Sequence, residues 1–455
     1  MRGSYNTFTM GLRKSILLKK GLRTDRIWTK KFLYREPFWR IPLWMDMFAL
    51  FKSQYWPREE IESMQWERIR ELVRDAANVP LWKDTFEKLH IDPVHISPED
   101  FRKLPVVSKK TFVGKERAYF TDERYMANAY SDFTSGSTGQ PLNFFTDWLV
   151  ELRSYAVCER VFYTVTGDVR YPVFSLRAKY KTGFIFRKRV LFYVPGFNGV
   201  RYRLPDLIAI TKKFTRGFIL YGFTSSIIET ARLIKESGEK LHVRAVVTTG
   251  EAIRDTDKAL IKKVFNADFF LTYATRELGW IGYECLHHNL HMCEEYAYFE
   301  ILDENNAPVE DGKEGRVIVT SLDNRAMPFI RYEIGDRGVI SPALCPCGRT
   351  LKTLKLIGRQ TEFIELADKR VASLLDISAS FDNLSDAVRR YQIVQKEPLL
   401  FLIKVVAGPE FDNARETLEL RLVQLLHPQA RIEWEQVESI PESKSGKAVY
   451  FVREL

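Results

Sequence analysis

Residues 134–141 read TSGSTGQP, and the wider stretch SDFTSGSTGQPL (131–142) places six consecutive small residues, each hydroxylated or glycine, ahead of Gln140-Pro141. Thr134, Ser135, Gly136, Ser137, Thr138 and Gly139 bring hydroxyls and unobstructed backbone N–H groups into one loop. Successive N–H groups in such a loop form a concavity for anions, and phosphate is the natural guest. The stretch is not a Walker loop, which requires Lys and then Ser or Thr after its second glycine, where Gln-Pro stands here. Taken alone it reads either as a phosphate cradle or as a flexible solvent loop.

The chain around it is large and globular. Its 455 residues exceed the size at which one hydrophobic core stops growing, and its 45% hydrophobic content suffices for several. Two or more domains are expected. The net charge of +10 is concentrated at the start, since residues 1–31 hold nine Lys or Arg against Asp25 alone. Behind this basic arm, IWTKKFLYREPFWRIPLWMDMFALFKSQYW suits either a lipid headgroup interface or a helical layer packed on the main body. No zinc-finger, RNP or helix-turn-helix pattern accompanies the arm, which argues against nucleic acid. No apolar run approaches the length that spans a bilayer and no signal peptide opens the chain, so a cytoplasmic protein is expected, peripheral to the inner membrane face if the arm binds lipid.

REEIESMQWERIRELVRDAANVPLWKDTFEKL, with Ile61, Met64, Ile69, Leu72 and Val73 near helical spacing, predicts an amphipathic helix. From about 130 to 350, short runs such as FILYG, RAVVTTG and DFFLTY alternate with helical stretches such as SSIIETARLIKES. That alternation predicts an α/β architecture with parallel sheets and crossover helices. From residue 296 strands joined by an Asn/Asp/Gly turn predict an antiparallel section. LLFLIKVVAG, ARETLELRLVQLL and ARIEWEQV then predict a small α+β unit. The expected division is an arm (1–54), a large domain (55–357) and a small C-terminal domain (358–455), with a hinge near 358–362.

Five cysteines do not make a disulfide framework, but Cys285, His291, Cys345 and Cys347 form a C-x5-H…C-x-C set of soft ligands suited to tetrahedral zinc. From spacing alone His287, His288 and Cys293 remain alternative ligands, and buried free cysteine is an alternative for the whole set.

TSGSTGQP also fills [ST]-S-G-[ST]-T-G-x-P, the signature loop of the adenylate-forming superfamily, and further motifs follow in that superfamily's order. TTGE (248–251) resembles the segment flanking adenine, TYATRE (272–277) resembles Y-G-x-T-E, and RYEIGDRG (331–338) resembles Y-x-T-G-D. LIGRQTEFIEL is similar to G-R-x-D-D-x-I-K, and IPESKSGKAVY to the final P-x-x-x-x-G-K. The resemblance covers about residues 55–455 and implies a large α/β domain carrying a small, mobile α+β C-terminal domain. It implies ATP and magnesium as cofactors: residues 134–139 on the triphosphate, Gly250 and Glu251 beside adenine, Tyr273 stacked on it, Glu277 on Mg²⁺, Asp336 on ribose, Arg359 near ribose and phosphate, and Lys447 as the catalytic lysine. Cysteines and histidine match the phenylacetate-CoA ligase and CapK-like branch, which implies a closed, structural zinc site from Cys285, His291, Cys345 and Cys347, with His287 and His288 as solvent-facing neighbours. By the same resemblance Phe197, Asn198, Tyr221, Gly222 and Phe223 are candidates for lining the acid pocket, with ordinary core as the alternative.

Three departures bear on chemistry. Arg276 stands where the superfamily has a small hydroxyl, either to contact phosphate or a substrate anion or to pair with a neighbouring acid. Thr361-Glu362 replaces Asp-Asp, and ELADKRV lacks the glycine usual where the pantetheine arm of coenzyme A passes. Coenzyme A is therefore one acceptor beside carrier-protein thiols and amines of surface-polysaccharide precursors. The expected function is ATP-dependent activation of a carboxylic acid to an acyl-adenylate, with pyrophosphate release and acyl transfer. A nucleotidyltransferase that leaves AMP on its substrate, and a degenerate nucleotide-binding scaffold in polysaccharide assembly, are the alternatives.

Overall fold

A computed structural model describes residues 37–127, 129–133, 142–168, 171–177, 183–185, 189–193, 197–251, 253, 255–359, 363–365, 371–373, 377, 380–381, 387–441 and 449–454. The basic arm (1–31), residues 134–141, positions 360–362 of the expected hinge and Lys447 lie outside them, as do the side chains of Phe197, Asn198 and Arg359.

Helix α1 (Pro37–Ser53) leads into α2 (Arg58–Ala76) and α3 (Pro80–Leu89). The single helix expected over this region is two. Proline lacks an N–H and fits the first helical turn, so Pro80 at the start of α3 ends one helix and opens another. Ile61, Ile69, Leu72 and Val73 are buried as their spacing predicts, whereas Met64 is half-buried.

After β1 (Val107–Ser108), the hairpin β2 (Tyr130–Phe133) and β3 (Asn143–Thr146) brackets the glycine-serine stretch. Helix α4 (Trp148–Thr166) follows, with Asp147 accepting from the Leu149 N–H at its start and Gly167, at φ +70°, closing it. The alternating region supplies β4 (Val173–Arg177), β5 (Gly183–Ile185), β6 (Arg189–Tyr193), α5 (Phe197–Thr211), β7 (Phe218–Phe223), α6 (Thr224–Ser237), β8 (Val243–Thr249), α7 (Asp255–Phe265), β9 (Asp268–Thr275), β10 (Gly279–Glu284) and β11 (Leu290–Met292). These strands form one sheet in the order β11-β10-β9-β8-β7-β4-β6-β5, parallel from β9 to β6 and antiparallel at both edges. Its central strands read as unbroken apolar runs because both faces are covered: Phe218, Ile219, Leu220 and Tyr221 of β7 are all buried.

The antiparallel section comprises β12 (Ala297–Leu302), β13 (Glu314–Ser321), β14 (Tyr332–Ile340) and β15 (Leu354–Arg359), with β1 added parallel to β14. Antiparallel pairing is not confined to the section after residue 296: β2 pairs β3, β5 pairs β6, and at β10 the parallel sheet's edge turns back on itself. Beyond a two-stranded ladder of β16 (Phe363–Glu365) and β17 (Val371–Ser373) come β18 (Val388–Glu397), β19 (Leu400–Ala407), α8 (Phe411–Leu426), β20 (Arg431–Gln436) and β21 (Phe451–Arg453). Their sheet runs β20-β19-β18-β21 and has its own core, in which Leu418 and Leu422 of α8 pack with Ile393, Phe401 and Ile403. No helix among the described residues is long and apolar enough to cross a membrane.

Candidate active site

Two sheets meet at Tyr273 and Asp336. Tyr273 lies near the end of β9 and Asp336 on β14, and the phenol donates a 2.6 Å hydrogen bond to Asp336 Oδ2 in a buried setting. Short O–H···O⁻ contacts of this kind are charge-assisted and hold their partners in a fixed geometry. Arg359 is the register partner of Asp336 across β14 and β15. At the end of β8, Gly250 turns the chain at φ +82°, and the Glu251 carboxylate accepts from the Ser225 N–H (2.7 Å) and hydroxyl (3.2 Å). Glu251 thus satisfies an orphan donor in the first turn of α6, a position where a negative charge is favoured.

The turn after β9 carries Arg276 and Glu277. Gly279 reverses it at φ +76°, where a Cβ would approach Ser154 Oγ to 2.7 Å. Glu277 Oε1 accepts from the Tyr332 hydroxyl at 3.1 Å, joining this turn to the start of β14. Arg276 Nη2 donates to both oxygens of Asp132, at 2.6 and 2.7 Å. Asp132 sits on β2, two residues before Thr134, so the two motifs touch at the stem of the glycine-serine stretch. The same hairpin is held from below by Asn324, which donates to the Phe145 carbonyl and accepts from the Asp147 N–H.

Among the pocket candidates, Tyr221 is 4% exposed, its ring tilted against Trp280 at 5.4 Å and edge-on to Phe162 at 6.0 Å. A Cβ on Gly222 would meet Leu176 at 3.1 Å, so this strand lies close under its neighbour. Phe223 is the N-cap of α6, and Phe197 and Asn198 open α5.

The four soft ligands converge. One donor atom from each of Cys285, His291, Cys345 and Cys347 falls within 4.8 Å of the others. Cys285 and Cys345 sulfurs are 3.6 Å apart, and Cys347 Sγ is 3.3 Å from His291 Nε2. Tetrahedral zinc, with bonds of about 2.3 Å to sulfur and 2.0 Å to nitrogen, separates its ligands by roughly 3.5 to 3.8 Å, so the donor set fits the ion. A carbonyl can only accept, so the 2.8 Å contact to Leu351 O puts the proton of His291 on Nδ1 and leaves Nε2 with its lone pair toward Cys347. Burial pushes the His291 pKa down to about 4, which keeps the ring neutral as ligation requires. Burial also pushes the Cys285 thiol up to about 12, a tendency that a divalent cation would reverse. His287 and His288 are exposed, and Cys293 is buried 3.6 Å from Arg160 Nη2, outside the set.

Arg331, within the RYEIGDRG motif, was not among the expected site residues. It is 2% exposed, sits at φ +48°, pairs with Glu300 at 3.0 and 3.1 Å and donates to the carbonyls of Arg102 and Leu104. It anchors the segment entering β1 and so fixes the start of β14, which carries Asp336. Its only sequence signal was its place in the motif.

Residues 364–454 match the CapK C-terminal domain. The chain is 22% identical to the phenylacetate-coenzyme A ligase of Thermus thermophilus over 368 residues, covering 74% of this chain and 79% of that protein. It is 20% identical to protein CapK of Staphylococcus aureus over 418 residues, covering 87% and 89%. Its fold superposes with a TM-score of 0.70 on 2-hydroxyisobutyryl-CoA ligase in the postadenylation state in complex with R3-HIB-AMP, at 18% identity over 89% of this chain and 93% of that one. With six motifs in superfamily order, a fold shared over most of its length and a C-terminal segment that matches the CapK C-terminal domain, the chain is similar to adenylate-forming ligases of the phenylacetate-CoA ligase and CapK-like kind.

Proposed function

We propose that the chain activates a carboxylic acid with ATP, releasing pyrophosphate and holding an acyl-adenylate, and then transfers the acyl group to a thiol or amine. The contact that carries this reading is Tyr273 to Asp336, which supports a nucleoside site between two sheets beside the stem of residues 134–141. In this reading the backbone amides of 134–139 cradle the triphosphate, Gly250 and Glu251 border adenine, Tyr273 packs on it and Asp336 takes the ribose hydroxyls. Negative charge grows on oxygen as the carboxylate attacks the α-phosphorus, and fixed donors and cations must meet it. Arg359 and Arg276 are the proposed guanidinium donors and Glu277 the proposed magnesium ligand. Lys447, on a small domain (358–455) that turns about a hinge near 358–362, would bridge the carboxylate and α-phosphate. Cys285, His291, Cys345 and Cys347 would hold a structural zinc ion, since four protein ligands leave no open position for a reacting water.

The acceptor is coenzyme A, a carrier thiol or an amine of a surface-polysaccharide precursor. The cytoplasmic, basic arm would rest on the inner membrane face, where a lipid-held acceptor would be within reach. The test is ATP–pyrophosphate exchange across fatty, aromatic, hydroxy and amino acids. Exchange with one acid class that is abolished in Lys447→Ala is expected; a stable adenylylated product without acyl transfer would replace this reading with a nucleotidyltransferase.

A further inference from the structure

We propose that Asp132 is a positioning residue for Arg276, holding its guanidinium against the stem of the phosphate loop so that it serves the triphosphate of ATP; this rests on the adenylation reading above. The pair is made by a single nitrogen, Nη2, which donates to both Asp132 oxygens at 2.6 and 2.7 Å. Arg276 Nε is buried and has no hydrogen-bond partner among the described residues. A buried N–H with no partner among the described residues, on a guanidinium that grips the stem of residues 134–141, is a donor available to an acceptor, and a phosphate oxygen fits a guanidinium edge.

Two physical consequences follow from where Asp132 stands. Arginine surrenders considerable rotamer freedom when fixed, and a pre-placed fork surrenders it before the ligand arrives. A carboxylate two residues before Thr134 would by itself repel a triphosphate, and the Arg276 guanidinium set against it offsets that repulsion. With side chains 38% and 18% exposed, the pair is partly open to solvent, where an ion pair's share of folding stability is modest, and placement of the arginine is the use we assign it. Arg276 occupies the position where the superfamily motif has a small hydroxyl, and Asp132 supplies the acid that such an arginine needs.

Steady-state exchange kinetics on the full chain test this. Asp132→Asn is expected to raise KM for ATP about tenfold with kcat within about twofold, the effect of one charge-assisted hydrogen bond. Asp132→Glu should recover most of the loss. Because Asp132 acts through Arg276, the double variant Asp132→Asn/Arg276→Ala should bind ATP no worse than Arg276→Ala, and better if the uncovered carboxylate repels. Losses that multiply in the double variant, or a wild-type KM in Asp132→Asn, would overturn the proposal. Should Asp132→Asn fail to fold, Arg276→Lys reads the same placement: its ammonium cannot span both partners, and an unchanged KM for ATP would count against the idea. If wild type exchanges pyrophosphate with no acid, the adenylation reading fails by itself, and calorimetric ATP affinity then reports the Asp132 series independently.

Discussion

Replacing Asp147 by asparagine isolates the effect of one buried charge at the foot of the hairpin that brackets residues 134–141. Asp147 is 8% exposed, and burial pushes its pKa up to about 6 from an ordinary 3.8; the Leu149 N–H and Arg325 work against that rise and Asp323 adds to it. For an acid whose folded pKa lies above its unfolded value, the native state holds the proton through the window between them. Its stabilising contribution is present in full below about 3.8 and lost as pH climbs through about 6. Above that the ionised carboxylate costs about 3 kcal/mol, at roughly 1.36 kcal/mol per pH unit. Asparagine keeps a carbonyl for the Leu149 N–H and cannot ionise, and any penalty of burying its amide is the same at every pH. The quantity to read is therefore the variant's stability relative to wild type at about pH 4 and at about pH 7.5, from urea unfolding followed by tryptophan fluorescence. The variant should gain about 2 to 3 kcal/mol on wild type between those two conditions. A constant difference, or one that moves against the variant as pH rises, would refute the burial account.

Cys345→Ser should lose stoichiometric zinc by elemental analysis and melt at lower temperature, while the exchange rate per folded molecule holds; a zinc-free variant with wild-type melting would remove the metal from the structure. Tyr273→Phe takes one donor from Asp336 and should lower unfolding free energy by about 1.5 to 3 kcal/mol, with an unchanged value showing that the short contact is energetically idle. Deleting residues 1–31 should weaken sedimentation with anionic liposomes and leave activation of a soluble acid intact, and equal sedimentation of both forms would exclude the arm as a membrane contact.

Much of the architecture was legible because local and global signals agreed. The apolar runs at β7, β8 and β9 are parallel strands covered on both faces, and the helices between them are the crossovers that parallel strands require. The break at Pro80 was legible too, but apolar spacing that continued across it outweighed the proline. The convergence of Cys285 with Cys345 was readable only as a ligand pattern, since a separation of 60 positions says nothing of distance. Asp132, Asn324 and Arg331 were out of reach: each acts through partners far along the chain, and neither composition nor periodicity marks a residue for such a contact. Glu251 was legible as part of TTGE, yet its carboxylate bonds to Ser225, an arrangement set by the packing of β8 beside α6.

Gln54, at the end of the first helical layer, accepts hydrogen bonds from the Tyr283 hydroxyl and from Arg349 Nε, and its carbonyl accepts from the Thr350 N–H. Its partners emerge from the ribosome 229 to 296 residues later, about 11 to 60 seconds at usual elongation rates of roughly 5 to 20 residues per second. Throughout that interval Gln65 and Arg68 of α2 also wait for their partners, the Glu294, Glu295 and Ala297 carbonyls and the Asp323 carboxylate. A nascent chain that stalls before residue 283 therefore has its first helical layer in hand but none of these three Gln54 partners to tie it down.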